Sequence, residues 1–149
     1  MSYLDTYGVR DARREKIVKR LLAVAAAVLI LGVILYFQFR NYAEEQQVKT
    51  FIEHLKRGDH KAAYGLWGCT DATPCPQYAF DKFMEDWGPS SPQAKIAKAK
   101  VASTKSCEGG IIQFLQFPDN HEVQLWVERK DKTIGFAPWP ICNPRMKVP

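Results

Sequence analysis

The sequence predicts an α+β fold, in which one transmembrane helix precedes a small domain of three helices packed on a four-stranded antiparallel meander. Three patterns lead to this prediction. Residues 21–39 are almost wholly apolar. Apolar residues recur with a helical period in residues 43–87, and in residues 96–137 strand-like segments are separated by short turns. We therefore divide the chain of 149 residues into a basic cytoplasmic tail (1–20), a transmembrane helix (21–39) and an exported domain (40–149).

The apolar segment has the length of a membrane span. Residues 21–37 form an unbroken run of seventeen apolar residues. With residues 38 and 39 the helix covers roughly 28 Å, close to the ~30 Å of a bilayer core. A buried soluble helix normally has one polar face, which this segment lacks. A cleaved signal peptide is the less favoured alternative, because the run exceeds the usual length and no small-residue cleavage motif follows it.

Positive charge is concentrated before the apolar segment. The first 20 residues hold six basic and three acidic residues, whereas residues 41–149 hold fourteen and thirteen. This bias predicts a cytoplasmic N-terminus and a periplasmic or otherwise extracytoplasmic C-terminal domain. Arg13 and Arg14 are candidates for contact with membrane lipid or a partner. The near-balanced charge of the domain argues against nucleic-acid binding.

All four cysteines follow the apolar segment. An even number on the predicted exported side is typical of two disulfides. Three pairings are possible, and we favour Cys69–Cys75 with Cys107–Cys142. A four-cysteine zinc site is the alternative, but the spacings differ from those of paired zinc knuckles. We expect no metal and no other cofactor.

Apolar residues at i, i+3, i+4 and i+7 predict three helices in the domain. The first covers residues 43–57 and ends at Gly58, a suitable C-terminal cap. Asp59 is suited to capping the second helix, residues 61–67. A cysteine-bracketed loop leads to the third helix, residues 77–87, and a linker rich in glycine, serine and proline follows it.

Four strands are predicted after this linker. They cover residues 96–107, 111–117, 121–130 and 133–137, and turns of two or three residues separate them. Such short turns indicate antiparallel pairing of consecutive strands. The three helices then pack on one face of the sheet, and a proline-rich tail follows.

The helix order resembles a known superfamily. Residues 48–64 (VKTFIEHLKRGDHKAAY) combine an amphipathic helix, a Gly-Asp break and an Ala-Ala-Tyr start to the second helix. They resemble the opening of the nuclear-transport-factor-two-like superfamily, and the resemblance covers about residues 43–140. It implies a cone-shaped α+β fold with a pocket between helices and sheet. Short strands, four cysteines and the proline-rich tail depart from the pattern and would shrink or plug the pocket. A looser resemblance is to single-pass assembly factors of respiratory complexes.

Aromatic residues are the main candidates for a site. If the implied cone is open, the rings contributed by its helical half would line the pocket. These residues are Tyr64, Trp67, Tyr78, Phe83 and Trp87.

A second candidate surface involves two tryptophans. Trp126 alternates with Gln124 and Glu128, whereas Val127 and its neighbours point the other way. The pattern therefore predicts an indole outside the main core, which meets either a protein partner or the C-terminal tail. A bond to Cys142 would draw Trp139 back across the sheet and make it part of the same surface.

No set of residues matches a catalytic motif. The three histidines lack a metal-binding spacing, and no phosphate-binding loop or nucleophile elbow is present. We expect a non-catalytic accessory or assembly subunit of a larger membrane protein complex, with membrane lipid and other membrane subunits as partners. The first alternative is an anchored module that binds a small apolar ligand in the cone. A hydrolase or isomerase on the same fold is the second.

Overall fold

Two units make up the computed structural model, which describes residues 5–70, 72–137 and 139–142. The first unit ends at Arg40 and the second begins at Asn41. The second unit is α+β, as predicted. In chain order the elements are α1 (Asp5–Phe39), α2 (Tyr42–Lys56), α3 (His60–Gly65), α4 (Phe80–Trp87), a 3₁₀ turn (Ile96–Lys98), β1 (Lys100–Ser106), β2 (Gly110–Gln116), β3 (Glu122–Glu128) and β4 (Ile134–Phe136).

Helix α1 extends further toward the N-terminus than the predicted membrane span. It has 35 residues, so the part of the basic tail from Asp5 onward is helical and continuous with the apolar segment. Lys19 and Glu15 pair at a spacing of four residues with 2.6 Å between the charged atoms, which supports a helix here. Every side chain described from residue 13 to residue 39 is exposed.

The two helices that follow end and begin at the predicted cap residues. Gly58 has a φ of 75°, a left-handed conformation that glycine adopts without strain, and it ends the turn after α2. The side chain of Asp59 accepts a hydrogen bond of 3.1 Å from the backbone N–H of Ala62 at the start of α3. Capping chemistry therefore places this helix break where the sequence predicts it.

Helix α4 begins at Phe80, three residues later than predicted. A disulfide joins Cys69 to Cys75, and the backbone N–H of Tyr78 donates to the carbonyl of Cys75 over 3.2 Å. The residues before Ala79 are therefore held in a turn. The first helical hydrogen bond runs from Phe83 to the carbonyl of Ala79.

Four antiparallel strands form one sheet in the order β1-β2-β3-β4. The first predicted strand, residues 96–107, was placed too early, because Ile96–Lys98 form a 3₁₀ turn and the strand begins at Lys100. The turn buries the Ile96 side chain in the core. The register between β1 and β2 shifts between Val101 and Ser103, which marks a bulge.

Apolar side chains are buried on both faces of the sheet. The helix-facing core includes Leu115, Leu125 and Val127 from the sheet. The opposite face, here called the outer face, carries a second cluster of four buried residues. They are Cys107, Ile112, Phe114 and Trp126.

Trp126 lies outside the main core, as the alternation predicts, and it is buried, keeping only 3% of its accessible surface. Trp126 pairs across the sheet with Ile112, and Ala137 packs against the same cluster. The indole N–H donates to the carboxylate of Glu128 over 3.1 Å. Alternation along β3 correctly places Trp126 outside the main core, and the C-terminal tail, one of its two expected contacts, lies on the same face.

Replacing Phe83 with alanine tests how tightly the helix-facing core is packed. The fully buried Phe83 ring lies within 6.3 Å of five other aromatic rings. We expect Phe83→Ala to lower the free energy of unfolding by about 3–5 kcal/mol. Urea unfolding of the detergent-solubilised chain measures the loss. Val101→Thr, at an exposed edge position, is the control and should change the value by less than about 0.5 kcal/mol. Equal effects would show that the core is loosely packed.

Candidate docking surface and anchor

Helix α1 has the properties of a membrane anchor. Among the residues that the structure describes, this helix is long enough and apolar enough to cross a bilayer. Arg13 and Arg14, predicted to contact lipid or a partner, are exposed on its basic part. At Gly32, a built Cβ atom has no neighbour within 4 Å. Packing within the chain therefore does not require glycine there.

A buried carboxylate lies in the first turn of α2. Glu44 keeps 2% of its accessible surface. Its Oε1 atom accepts hydrogen bonds from Lys132 Nζ over 2.9 Å and from Arg129 Nη1 over 3.2 Å. Both cations come from the end of β3 and the turn after it. Because a buried charge needs a partner, these contacts fix the start of α2 against that end of the sheet.

Arg129 connects several elements at this end of the domain. Its Nη2 atom donates to Asn41 Oδ1 over 3.2 Å and to the carbonyls of Cys107 and Gly110 over 3.3 and 3.4 Å. The hydroxyl of Ser106 also donates to Asn41 Oδ1, over 2.9 Å. We call the end of the domain that holds these residues the Asn41 end.

The two cations change the titration of Glu44. Burial raises the pKa of this carboxyl, but the hydrogen bond from Lys132 and the charges of Arg129 and Lys132 outweigh burial and hold the pKa below its ordinary value. The folded state is therefore favoured by the ionised carboxylate. This contribution is complete above the ordinary pKa of glutamate and disappears as the pH falls through the lowered value.

The aromatic residues predicted to line a pocket are brought together, but their rings pack on one another. These residues are Tyr64, Trp67, Tyr78, Phe83 and Trp87, and the centroids of their neighbouring pairs lie 5.3–6.2 Å apart. Phe51 lies 4.9 Å from Trp87, and Phe136 lies 5.4 Å from Trp67. The rings therefore pack against one another between the helices and the sheet.

Polar atoms inside this aromatic group are used in internal hydrogen bonds. The hydroxyl of Tyr64 donates to the carbonyl of Tyr78 over 2.7 Å. The hydroxyl of Tyr78 donates to Asp86 Oδ2, also over 2.7 Å. Burial, followed by the hydrogen bond and the negative charge of Asp86, raises the pKa of Tyr78 far above that of a free phenol. Tyr78 therefore stays protonated and acts as a structural donor.

An open depression of about 450 Å³ lies beside α4. Its lining includes Asp81, Met84, Glu85 and Ser90. Glu85 already pairs with Lys82 over 2.8 Å. The depression is therefore an open surface feature, and its described lining contains none of the five aromatic residues expected in the cone.

Both disulfides of the favoured pairing are formed, Cys69–Cys75 and Cys107–Cys142. They indicate folding in an oxidising compartment. No group of three or more His, Cys, Asp or Glu side chains suited to hold a metal occurs among the described residues.

The second disulfide holds the tail over the outer face of the sheet. The backbone N–H of Ala137 donates to the carbonyl of Gln124 over 2.9 Å, and Lys105 Nζ donates to the carbonyl of Pro140 over 2.8 Å. The tail therefore crosses from β3 to β1. Trp139, predicted to join Trp126 in one surface, stays exposed in this tail, whereas Trp126 lies buried.

Glu44, Arg129 and Lys132 were not identified from the sequence. Glu44 lies off the apolar stripe of its helix, which is typical of a solvent-exposed residue. Its partners are 85 and 88 residues away along the chain, so local periodicity contains no information about the contact. Besides the expected return of the tail through Cys142, the burial of the outer face had a second indication, the nearly continuous apolar run of β2, which is typical of a strand covered on both faces.

Comparison with protein-family models, with curated proteins and with solved structures finds no match to this chain.

Replacing Glu44 with glutamine tests the buried ion network. Glu44→Gln leaves Arg129 and Lys132 without their carboxylate and should cost about 3 kcal/mol of stability at neutral pH. The difference from wild type should shrink as the pH falls through the lowered pKa of Glu44, because the wild-type carboxyl then also becomes neutral. Urea unfolding of both proteins at a series of pH values measures this difference in unfolding free energy.

The neighbouring residue supplies a matched control. Glu45 lies in the same helical turn but is exposed. Glu45→Gln should cost less than about 1 kcal/mol, mainly through the helix dipole. If both variants lose the same stability, or if the loss in Glu44→Gln is independent of pH, the network does not stabilise the fold in the way described.

Proposed function

We propose that this chain is a non-catalytic accessory or assembly subunit of a larger membrane protein complex. The observation that carries the proposal is the combination of an exposed apolar helix with a domain whose interior is filled by its own aromatic rings. Helix α1 would anchor the chain, and the surface of the domain would make the contacts. In this arrangement the N-terminus lies in the cytoplasm and the domain in the periplasm or another extracytoplasmic space.

The lateral face of α1 supports a role beside other subunits. Glycine lowers helix stability by about 1 kcal/mol relative to alanine. Among the residues that the structure describes, none outside the neighbouring turns of α1 lies within 4 Å of the position that a Cβ atom at residue 32 would take. Ala25 lies seven residues earlier and therefore on the same face. Small residues on one face let a second transmembrane helix approach closely.

The alternative function, binding of a small apolar ligand in a cone of the nuclear-transport-factor-two-like type, needs space between helices and sheet. The packing of Trp67, Phe83 and Trp87 on one another favours docking over ligand binding. The hydrogen-bonded hydroxyls of Tyr64 and Tyr78 favour it as well, because they already have partners.

Extraction of native membranes in a mild detergent tests the proposal. We expect the 17.0 kDa chain to migrate in a native gel as part of a much larger assembly, with other membrane subunits identified in the same band. Migration as a single chain in its detergent micelle contradicts a stable accessory subunit. Release of a bound lipid or other apolar molecule from such a single chain would support the ligand-binding alternative.

A bulky substitution at Gly32 tests the helix face. Gly32→Leu should strengthen α1 as a helix but remove most of the chain from the larger assembly, because a leucine side chain prevents close approach. Ala23 lies nine residues earlier, about two and a half turns away and thus on the opposite face. Ala23→Leu is the matched control and should leave co-migration unchanged. Equal behaviour of the two variants would exclude this face as a contact.

A further inference from the structure

The described end of the tail lies at the Asn41 end of the domain. Cys142 is bonded to Cys107, with 5.4 Å between their Cα atoms. Ser106, the neighbour of Cys107, donates a hydrogen bond of 2.9 Å to Asn41. The last described residues of the chain are therefore fixed close to the residue with which the domain begins.

The length of the chain keeps the same end close to the anchor. Helix α1 ends at Phe39, and Asn41 is two residues later. Two peptide units reach at most about 7.6 Å between Cα atoms. If α1 spans a membrane, as proposed above, the Asn41 end cannot lie far from the interface where the apolar segment leaves the bilayer. The inference that follows rests on that part of the proposed function.

The tail carries two large apolar side chains that the domain leaves exposed. Trp139 keeps 46% of its accessible surface and Ile141 keeps 63%. The other three tryptophans, Trp67, Trp87 and Trp126, are buried. Both exposed side chains flank Pro140, whose carbonyl is held by Lys105. Trp139 and Ile141 are therefore exposed although the hydrogen bond from Lys105 and the Cys107–Cys142 disulfide hold the backbone around them.

The chemistry of this segment matches a lipid headgroup region. Tryptophan is enriched at membrane interfaces because its ring is apolar and its N–H is polar. The sequence after Cys142 adds Arg145 and Lys147, and cations near a membrane surface are attracted to anionic lipid. Apolar side chains next to basic residues are the composition of a peripheral lipid contact.

We propose that Trp139 and Ile141 form a second membrane contact, which rests in the headgroup region of the bilayer that α1 spans. The disulfide Cys107–Cys142 holds this contact at the Asn41 end.

Tryptophan fluorescence in nanodiscs tests this contact. The full chain is placed in bilayers that contain phosphatidylglycerol, with either ordinary or brominated acyl chains, since bromine quenches only nearby indoles. We expect brominated lipid to remove most of the emission contributed by Trp139. Trp139→Phe should abolish the difference between the two lipids, and folding should be unaffected because the residue is exposed.

A paired variant tests the disulfide. Cys107→Ser combined with Cys142→Ser frees the tail, and we expect weaker quenching by brominated lipid and stronger quenching by iodide in the water. Iodide quenching of Trp139 in the wild type, with none by bromine, would overturn the proposal. The proposal would also be overturned if Trp139 is protected from both quenchers only when a co-purified subunit is present, because Trp139 then contacts protein.

Whether the chain stays in the disc distinguishes failure of the second contact from failure of the α1 anchor. A chain that remains in the disc without quenching of Trp139 refutes the second contact and leaves the anchor intact. A chain that does not enter discs, and does not float with vesicles, contradicts anchorage by α1 and the second contact with it.

Discussion

The Cys107–Cys142 disulfide brings the described C-terminal residues back to the place where the domain begins. Cys107 follows Ser106, which hydrogen-bonds Asn41, and its carbonyl accepts a hydrogen bond from Arg129. Cysteines 35 positions apart close a loop whose constraint on the unfolded chain contributes about 4 kcal/mol in the chain-entropy model. The bond also holds the tail across the outer face of the sheet. The exposed position of Trp139 depends on the same covalent bond.

The two sides of the sheet differ in what covers them. On one side, α2 and α4 bury a dense group of aromatic rings, and on the other the tail crosses a smaller cluster around Trp126. At the Asn41 end, the ion network of Glu44 joins the start of α2 to the turn after β3. With its interior occupied by its own side chains, the domain offers its surface for contacts. This is the physical basis for proposing a docking role.

Local patterns predict the helices and strands and the face of each that packs in the main core. They contain no information about contacts between residues that are distant in the sequence. Alternation in β3 correctly assigned Leu125 to the helix-facing core, and cysteine spacing favoured the observed pairing. The same alternation places Trp126 outside the main core, but the return of the tail over that face was expected only from a bond to Cys142. Glu44 has the pattern of a surface residue, since its partners are more than 80 positions away. Helix α4 starts late because a covalent bond overrides periodicity just before it.

The most direct test of this account is a count of free thiols in the chain isolated from its native membrane. Membranes are lysed directly into denaturant that contains an excess of a thiol-alkylating reagent and no reductant, and the alkyl groups on the chain are counted by mass. A second sample is reduced before alkylation and counted in the same way. We expect no free thiol before reduction and four after it, because all four cysteines are paired in two disulfides. Four free thiols before reduction would contradict both disulfides and the extracytoplasmic location. Two, assigned to Cys107 and Cys142, would contradict the tie between the tail and the Asn41 end.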